Sequence, residues 1–276
     1  IFAVWLVCGV LTLFGALVSA ELASAFPESG GVYAFLREAF GPWLGFLWAW
    51  AMFWTMHTGI IAAIATVFAR YVGYFIPLGD AGTKGVAMAA ILVLSAVNYR
   101  GVRHGSVLQT AFTAVKLLAI LAIIALGLAF GWEAHAAAVS VPVVAGASAA
   151  APASGGPWGT RDFALALVAG LFAFGGWHMV TYNAEETHDP RRTVPRALVI
   201  GTLVVTACYV ALNAVYLYLL PLDVVATSNR VAADAADAVF GRGGGAVMSV
   251  LVVFSTFGGL AGIVLAGPRV YFAIAR

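Results

Sequence analysis

The sequence predicts an all-α membrane protein, a bundle of about seven transmembrane helices of which one is discontinuous. Three observations carry this. Of the 276 residues, 63% are hydrophobic and only 9% are charged, against about 25% charged in soluble domains. Apolar runs near the ~20 residues that span a bilayer recur along the chain. One of them, from about Asp162 to Ala184, carries Gly175-Gly176 in its middle, and each glycine disfavours helix by about 1 kcal/mol relative to alanine. The composition also bounds the partners. A net charge of +2, with no basic cluster interleaved with aromatics, excludes a nucleic-acid footprint and leaves the lipid bilayer as the expected surroundings.

In chain order, the first span runs from Ile1 to about Ala20 and ends at Glu21. Pro27, Ser29-Gly30-Gly31 and the charges Glu28, Arg37 and Glu38 then read as a loop with a short amphipathic helix. The second span, about Trp43 to Phe75, is long and holds Trp43, Trp48, Trp50 and Trp54, rings that favour the membrane–water interface. After the turn Pro77–Asp80, the third span (about Gly85 to Tyr99) is short unless it extends backward. Asn98 to Gly105 is a basic turn, and the fourth span follows from about Val107 to Leu128. The Ala-, Val-, Ser-, Pro- and Gly-rich segment from Gly131 to Gly159 reads as a flexible exposed loop. The discontinuous span comes next, then a sixth from about Arg196 to Leu220. Pro221 to Gly245 is a loop expected to hold a short helix, and the seventh span covers about Ala246 to Ile274. Ile1 opens directly in apolar sequence and Arg276 follows the last span without a tail, so an internal piece of a longer chain is expected.

Alternating the spans gathers Arg37, Arg100, Arg103, Arg191, Arg192, Arg196, Arg269 and Arg276 on one side. Arg70, Lys84, Arg161, Arg230 and Arg242 fall on the other. The first set is larger and sits in shorter loops, which makes segments 21–42, 100–106 and 185–195 cytoplasmic by the positive-inside rule. Cys8 and Cys208 lie inside apolar runs and read as buried thiols, without metal-ligand spacing. No metal or cofactor is expected.

The candidate site is the break, Phe172-Ala173-Phe174-Gly175-Gly176-Trp177. It bares backbone N–H and C=O groups that lipid cannot satisfy, and transporters build midplane sites from interrupted helices. The alternative is that the glycines only let a neighbouring helix approach. Lys116 lies nine residues past Val107, or ~13 Å along a helix, near the middle of the ~30 Å hydrocarbon core. A charge there costs at least about 2.5–3.5 kcal/mol and usually marks a pathway or a proton relay; the alternative is snorkelling along its aliphatic stem. No carboxylate precedes it in its own run. His57 reads as a hydrogen-bonded packing residue, while His178, beside the break, is open between packing and function. Glu185 and Glu186 read as a solvated helix end paired with Arg191 or Arg192. Ser255 and Thr256, with Gly258-Gly259, suit close helix packing or ion coordination alike. No nucleophile–base pair, phosphate-binding loop or metal cluster is present in the sequence, which argues against an enzyme.

Four ordered motifs resemble one family. Glu21–Pro42 (ELASAFPESGGVYAFLREAFGP) resembles the first cytoplasmic loop of permeases in the amino acid–polyamine–organocation superfamily. Phe112–Ala119 (FTAVKLLA) resembles their fifth helix, Phe172–Ala197 their sixth helix and following loop, and Ser255–Arg276 their eighth. The similarity is closest to the L-type amino acid transporter branch and covers essentially the whole chain. It implies a partial inverted-repeat transporter bundle in which residues 1–276 form a single, incomplete transmembrane domain holding family helices two to eight. It further implies that Phe172 to Trp177 contact the substrate's amino and carboxylate groups through backbone, with Phe172 as an aromatic gate. Lys116 takes the place where sodium-coupled relatives bind an ion, between the first and eighth helices near Ser255 and Thr256. Ala261 stands where family members often have Asn. The implied function is a secondary active transporter in the plasma membrane, moving amino acids, expected to be neutral ones, as exchanger or proton symporter. A polyamine or organic-cation permease and a non-transporting sensor on the same scaffold are the alternatives, and a partner subunit is left open.

Overall fold

The computed structural model describes residues 1–100, 102–132, 135–136, 159–228 and 231–275, and they contain helices and no strands. Seven of the helical segments are long and apolar enough to cross a membrane. The loop read over Gly131–Gly159 lies mostly outside the described residues, as do Gly101 of the basic turn, Arg230 and Arg276.

α1 (Phe2–Ala25) continues past Glu21 and buries a stripe of small residues, Cys8, Thr12, Ala16, Ser19, Ala20 and Ala23. Small side chains let backbones approach where lipid supplies no hydrophobic drive. α1 packs most extensively against the long α8 (Pro190–Leu219). The expected amphipathic helix is α2 (Val32–Phe40), which buries Tyr33, Ala34 and Phe35. Its Arg37 bonds Glu28 at 2.8 Å and Glu38 at 3.1 Å. The bond to Glu28, opposed by partial burial and helped by Glu38, pushes the guanidinium above its ordinary value.

The second span is not a plain helix. α3 (Pro42–Ala51) passes into a π-helical segment, Met52–His57, before α4 (Thr58–Val72). The third span extends backward, as α5 (Asp80–Tyr99), because the polar residues Asp80 and Lys84 occupy helical turns. α6 (Val102–Phe130) starts immediately after, so the basic turn is far shorter than the sequence suggests. The discontinuous span consists of α7 (Thr160–Ala173), a turn, and a 3₁₀ segment, Trp177–Glu186. Two short helices, α9 (Leu222–Thr227) and α10 (Val231–Phe240), fill the loop after α8, and α11 (Gly244–Ile274) closes the described chain.

Two bundles flank the discontinuous span. On one side, α1 and α8 join the 3₁₀ segment and α2 in a core of Ala16, Ala20, Phe35, Ala184, Val194 and Leu198. On the other, α4, α5 and α11 share a core of Ala65, Ala69, Ala90, Leu94 and Leu260. Two prolines sit inside helices, and each frees the carbonyl four residues earlier. Pro195 frees that of Arg191, which accepts from the Ser24 hydroxyl of α1 at 3.2 Å. Pro268 frees that of Val264, which accepts from the Asn98 amide of α5 at 3.1 Å. In a bilayer such groups must be satisfied by protein, and here neighbouring spans do it.

Candidate functional site

α7 stops at Ala173 because the chain then turns through Phe174, Gly175 and Gly176. Gly176 has φ +96°, left-handed backbone that L side chains rarely adopt. The turn is closed by Gly175 N–H donating to Phe172 carbonyl (3.0 Å), and the 3₁₀ segment starts with Met179 N–H donating to Gly176 carbonyl (3.0 Å). The carbonyl of Ala173 receives the hydroxyl of Tyr209, from α8, at 2.9 Å. Tyr209 in turn packs on Trp5 and meets Phe174 edge-on, with ring centroids 4.8 and 5.0 Å away.

The six residues of the break do not share one surface. Phe172, Ala173, Gly175 and Gly176 line a cavity of about 540 Å³, whose other walls are Met52, Met56 and Ile60 of the second span, His178 and Met179 below the break, and Thr256 and Ile263 of α11. Phe172 is 75% exposed there. Phe174, by contrast, is 5% exposed and turned the opposite way. With Trp177, Thr12, Thr202 and Tyr209 it lines a second cavity of about 280 Å³ between α1 and α8, to which Ala173 and Gly175 also contribute, so that these two residues border both cavities. Trp177 covers α1 at Gly15, where a β-carbon would sit 2.8 Å from the indole.

Lys116 is half-buried between α6 and α11, and its Nζ lies 3.9 Å from where a β-carbon on Gly259 would be. None of the described carboxylates pairs with it. Ser255 is one helical turn before Gly259 and on the same face of α11. Thr256 instead belongs to the large cavity, its hydroxyl donating to the carbonyls of Val252 (2.7 Å) and Val253 (3.1 Å). The structure therefore brings Thr256 to the break, while Lys116 meets α11 at Gly259 and does not line the cavity.

Below the break, His57 is buried, with Nδ1 2.8 Å from the Tyr271 hydroxyl. His178 lies at the cavity wall, edge-on to Trp177 and Tyr182. The reading of Glu186 needs correction. It pairs with Arg269 of α11 at 3.2 Å, while Arg192 meets Asp189 at 3.9 Å. Arg269 is buried and also donates to Leu265 carbonyl, so it is a paired, buried cation rather than a solvated one. Tyr209, Met52, Met56 and Arg269 are the residues the sequence did not single out. Only Arg269 left a trace, as a lone cation inside an apolar run. Among the described residues, no three His, Cys, Asp or Glu side chains gather to hold a metal.

Comparison with known proteins agrees with this architecture. A family described as amino acid permease matches residues 1–276. The chain is 33% identical over 273 residues to the serine/threonine exchanger SteT of Bacillus subtilis (strain 168), covering 99% of this chain and 59% of that protein. It is 35% identical over 278 residues to the Asc-type amino acid transporter 1 of Mus musculus (99% and 51%). It is 33% identical over 277 residues to the b(0,+)-type amino acid transporter 1 of Homo sapiens (99% and 55%). The chain thus spans somewhat more than half the length of these relatives. With a match over its whole length and seven apolar spans, one of them broken, this chain belongs to the amino acid permease family.

Proposed function

We propose that this chain is the central part of a secondary active amino acid transporter working by alternating access, as exchanger or proton symporter. The observation that carries the reading is the glycine turn of a broken membrane helix forming the wall of a cavity of about 540 Å³. Backbone groups at such a turn suit the ammonium and carboxylate of a zwitterion. In this reading Phe172, Ala173, Gly175 and Gly176 face the substrate, while Phe174 and Trp177 hold the turn from behind. Lys116 of α6, facing α11 at Gly259, and Ser255 of α11 are the coupling residues, with Thr256 lining the cavity. Neutral substrates fit best, because Met52, Met56, Ile60 and Ile263 dominate the walls and, among the described residues, no carboxylate lines them to recognise an organic cation. The names of the similar proteins, serine/threonine exchanger and Asc-type amino acid transporter among them, point the same way.

In this reading residues 1–276 form one transmembrane domain, corresponding to family helices two to eight, in the plasma membrane. Segments 21–42, 100–106 and 185–195 face the cytoplasm, which places the Arg37 cluster and the Arg269–Glu186 pair there. The test is counterflow of labelled amino acids into proteoliposomes containing the full-length permease, with and without a pH gradient. Exchange of one or a few neutral amino acids is expected, and no exchange from folded protein overturns the reading. Lys116→Ala is expected to cut uptake at least about tenfold with little change in folding, as for a membrane-embedded functional cation. Unchanged uptake would leave Lys116 as a snorkelling side chain.

A further inference from the structure

The π-helical segment ends on His57, which is 2% exposed. π-bulges concentrate at functional sites because the extra residue re-aims a side chain. Here the imidazole points between α11 and the 3₁₀ half of the broken span. From α11, Tyr271 places its hydroxyl 2.8 Å from Nδ1, and at Gly267 a β-carbon would come within 3.5 Å of the same nitrogen. From the 3₁₀ half, Tyr182 stands edge-on with its centroid 6.0 Å from the imidazole. Tyr182 is 0% exposed, yet its hydroxyl has no protein partner, and neither has His57 Nε2. His178 then meets Tyr182 at 5.7 Å and lies at the wall of the large cavity.

Two buried polar atoms without partners, each costing about 1–3 kcal/mol, call for an explanation. They belong to adjacent rings, centroids 6.0 Å apart, and both groups can move protons. We propose that His57, with Tyr271, Tyr182 and His178, is a proton-binding site separate from Lys116, and that its occupancy governs the movement of the lower half of the broken span. This rests on the transport reading above.

The chemistry of the partners fits a group that must be held in both states. A neutral imidazole accepts from Tyr271 on Nδ1 and keeps Nε2–H free to donate. An imidazolium donates on both nitrogens, and hydroxyls accept as readily as they donate. No carboxylate of the described residues fixes the ring in its charged form. The ionised groups on the two packing elements, Arg269 and Glu186, are paired with each other, and Glu185 lines a different pocket with Glu28 and Arg37. On uptake an N–H bond forms as hydronium gives up its proton and becomes water. On release the bond breaks to water on the other side and the ring is neutral again. A proton that enters beside Tyr271 and leaves toward Tyr182 and His178 reaches the cavity.

The experiment is amino acid counterflow by the full-length permease at a series of pH values, for wild type, His57→Gln and Tyr271→Phe, with ring ¹⁵N NMR of histidine-labelled protein alongside. Wild type is expected to change rate at least about threefold between pH 4 and 8, the range in which histidine charge responds to its surroundings. His57→Gln, whose amide keeps a bond to Tyr271, should flatten the profile to less than about 1.5-fold, and Tyr271→Phe should displace it. A profile that folded His57→Gln leaves unchanged overturns the proposal. If His57→Gln does not fold, an undisplaced profile in Tyr271→Phe overturns it. The NMR titration stands independently of transport: a His57 signal that changes protonation supports the site. A signal fixed in one state across the series means a buried water only, and overturns it. Absence of counterflow by wild type at every pH strikes the transport reading instead.

Discussion

Two spans wall the same cavity, and both depart from α-helix there, but in opposite ways. In the span from Thr160 to Glu186 the backbone itself is opened. Gly176 turns left-handed, and Ala173 is left with a carbonyl that Tyr209 must satisfy from another helix. In the span from Pro42 to Val72 every residue at the edges of the π segment keeps helical backbone, φ −59° at Met52 and −63° at Thr58. Its local hydroxyls serve its own carbonyls, Thr55 to Ala51 at 2.6 Å and Thr58 to Trp54 at 3.1 Å. The first interruption offers backbone polarity to a ligand. The second keeps the backbone closed and re-aims side chains, Met52 and Met56 toward the cavity and His57 inward. A helix crossing lipid thus has two routes to a site, and only one needs help from its neighbours.

Substitutions at glycine separate the two. Gly176→Ala adds a β-carbon that meets nothing within 4 Å, so its penalty is purely conformational, about 1–2 kcal/mol for an L residue in left-handed backbone. Transport is expected to fall at least about tenfold, read by counterflow, with a lowered melting temperature. Wild-type activity would mean that the turn need not be left-handed. Next in size is Tyr209→Phe, which keeps the ring on Trp5 and Phe174 but removes the donor to Ala173. It is expected to cost about 0.5–1.5 kcal/mol in thermal or denaturant melts and to slow exchange severalfold. An unchanged melt would show that another group takes over the carbonyl. The smallest effect belongs to Gly59→Ala, just past the π segment, where an added β-carbon again meets nothing within 4 Å and the backbone is ordinary helix. It should leave transport unchanged and stabilise by at most about 1 kcal/mol. A loss there would mean that the π span also opens its backbone during the cycle.

What the sequence disclosed follows from the same contrast. The break could be read because paired glycines write a backbone effect directly into residue types, and the isolated cation Lys116 was visible for a similar reason. The π segment Met-Phe-Trp-Thr-Met-His contains no breaker, and its contacts with Tyr271 of α11 and Tyr182 of the 3₁₀ segment come from distant parts of the chain. Tyr209 lies 36 residues from the carbonyl it serves, a pairing that needs the fold. Arg269 was assigned to a membrane surface because charge counting treats helix ends as solvent. In the structure it is buried against Glu186, 83 residues away. The division of the break's six residues between two cavities was illegible as well, since which side each residue of a turn faces depends on neighbours on either side.

The Arg269–Glu186 pair has a mechanical meaning. It ties the last turn of the 3₁₀ half to α11, while α7 leans on α1 and Tyr209 of α8 bonds its last carbonyl. The 3₁₀ half is therefore fastened at its far end, and Gly176 is the one residue with left-handed backbone between it and α7. A displacement of the 3₁₀ half away from α11 would have to break that ion pair.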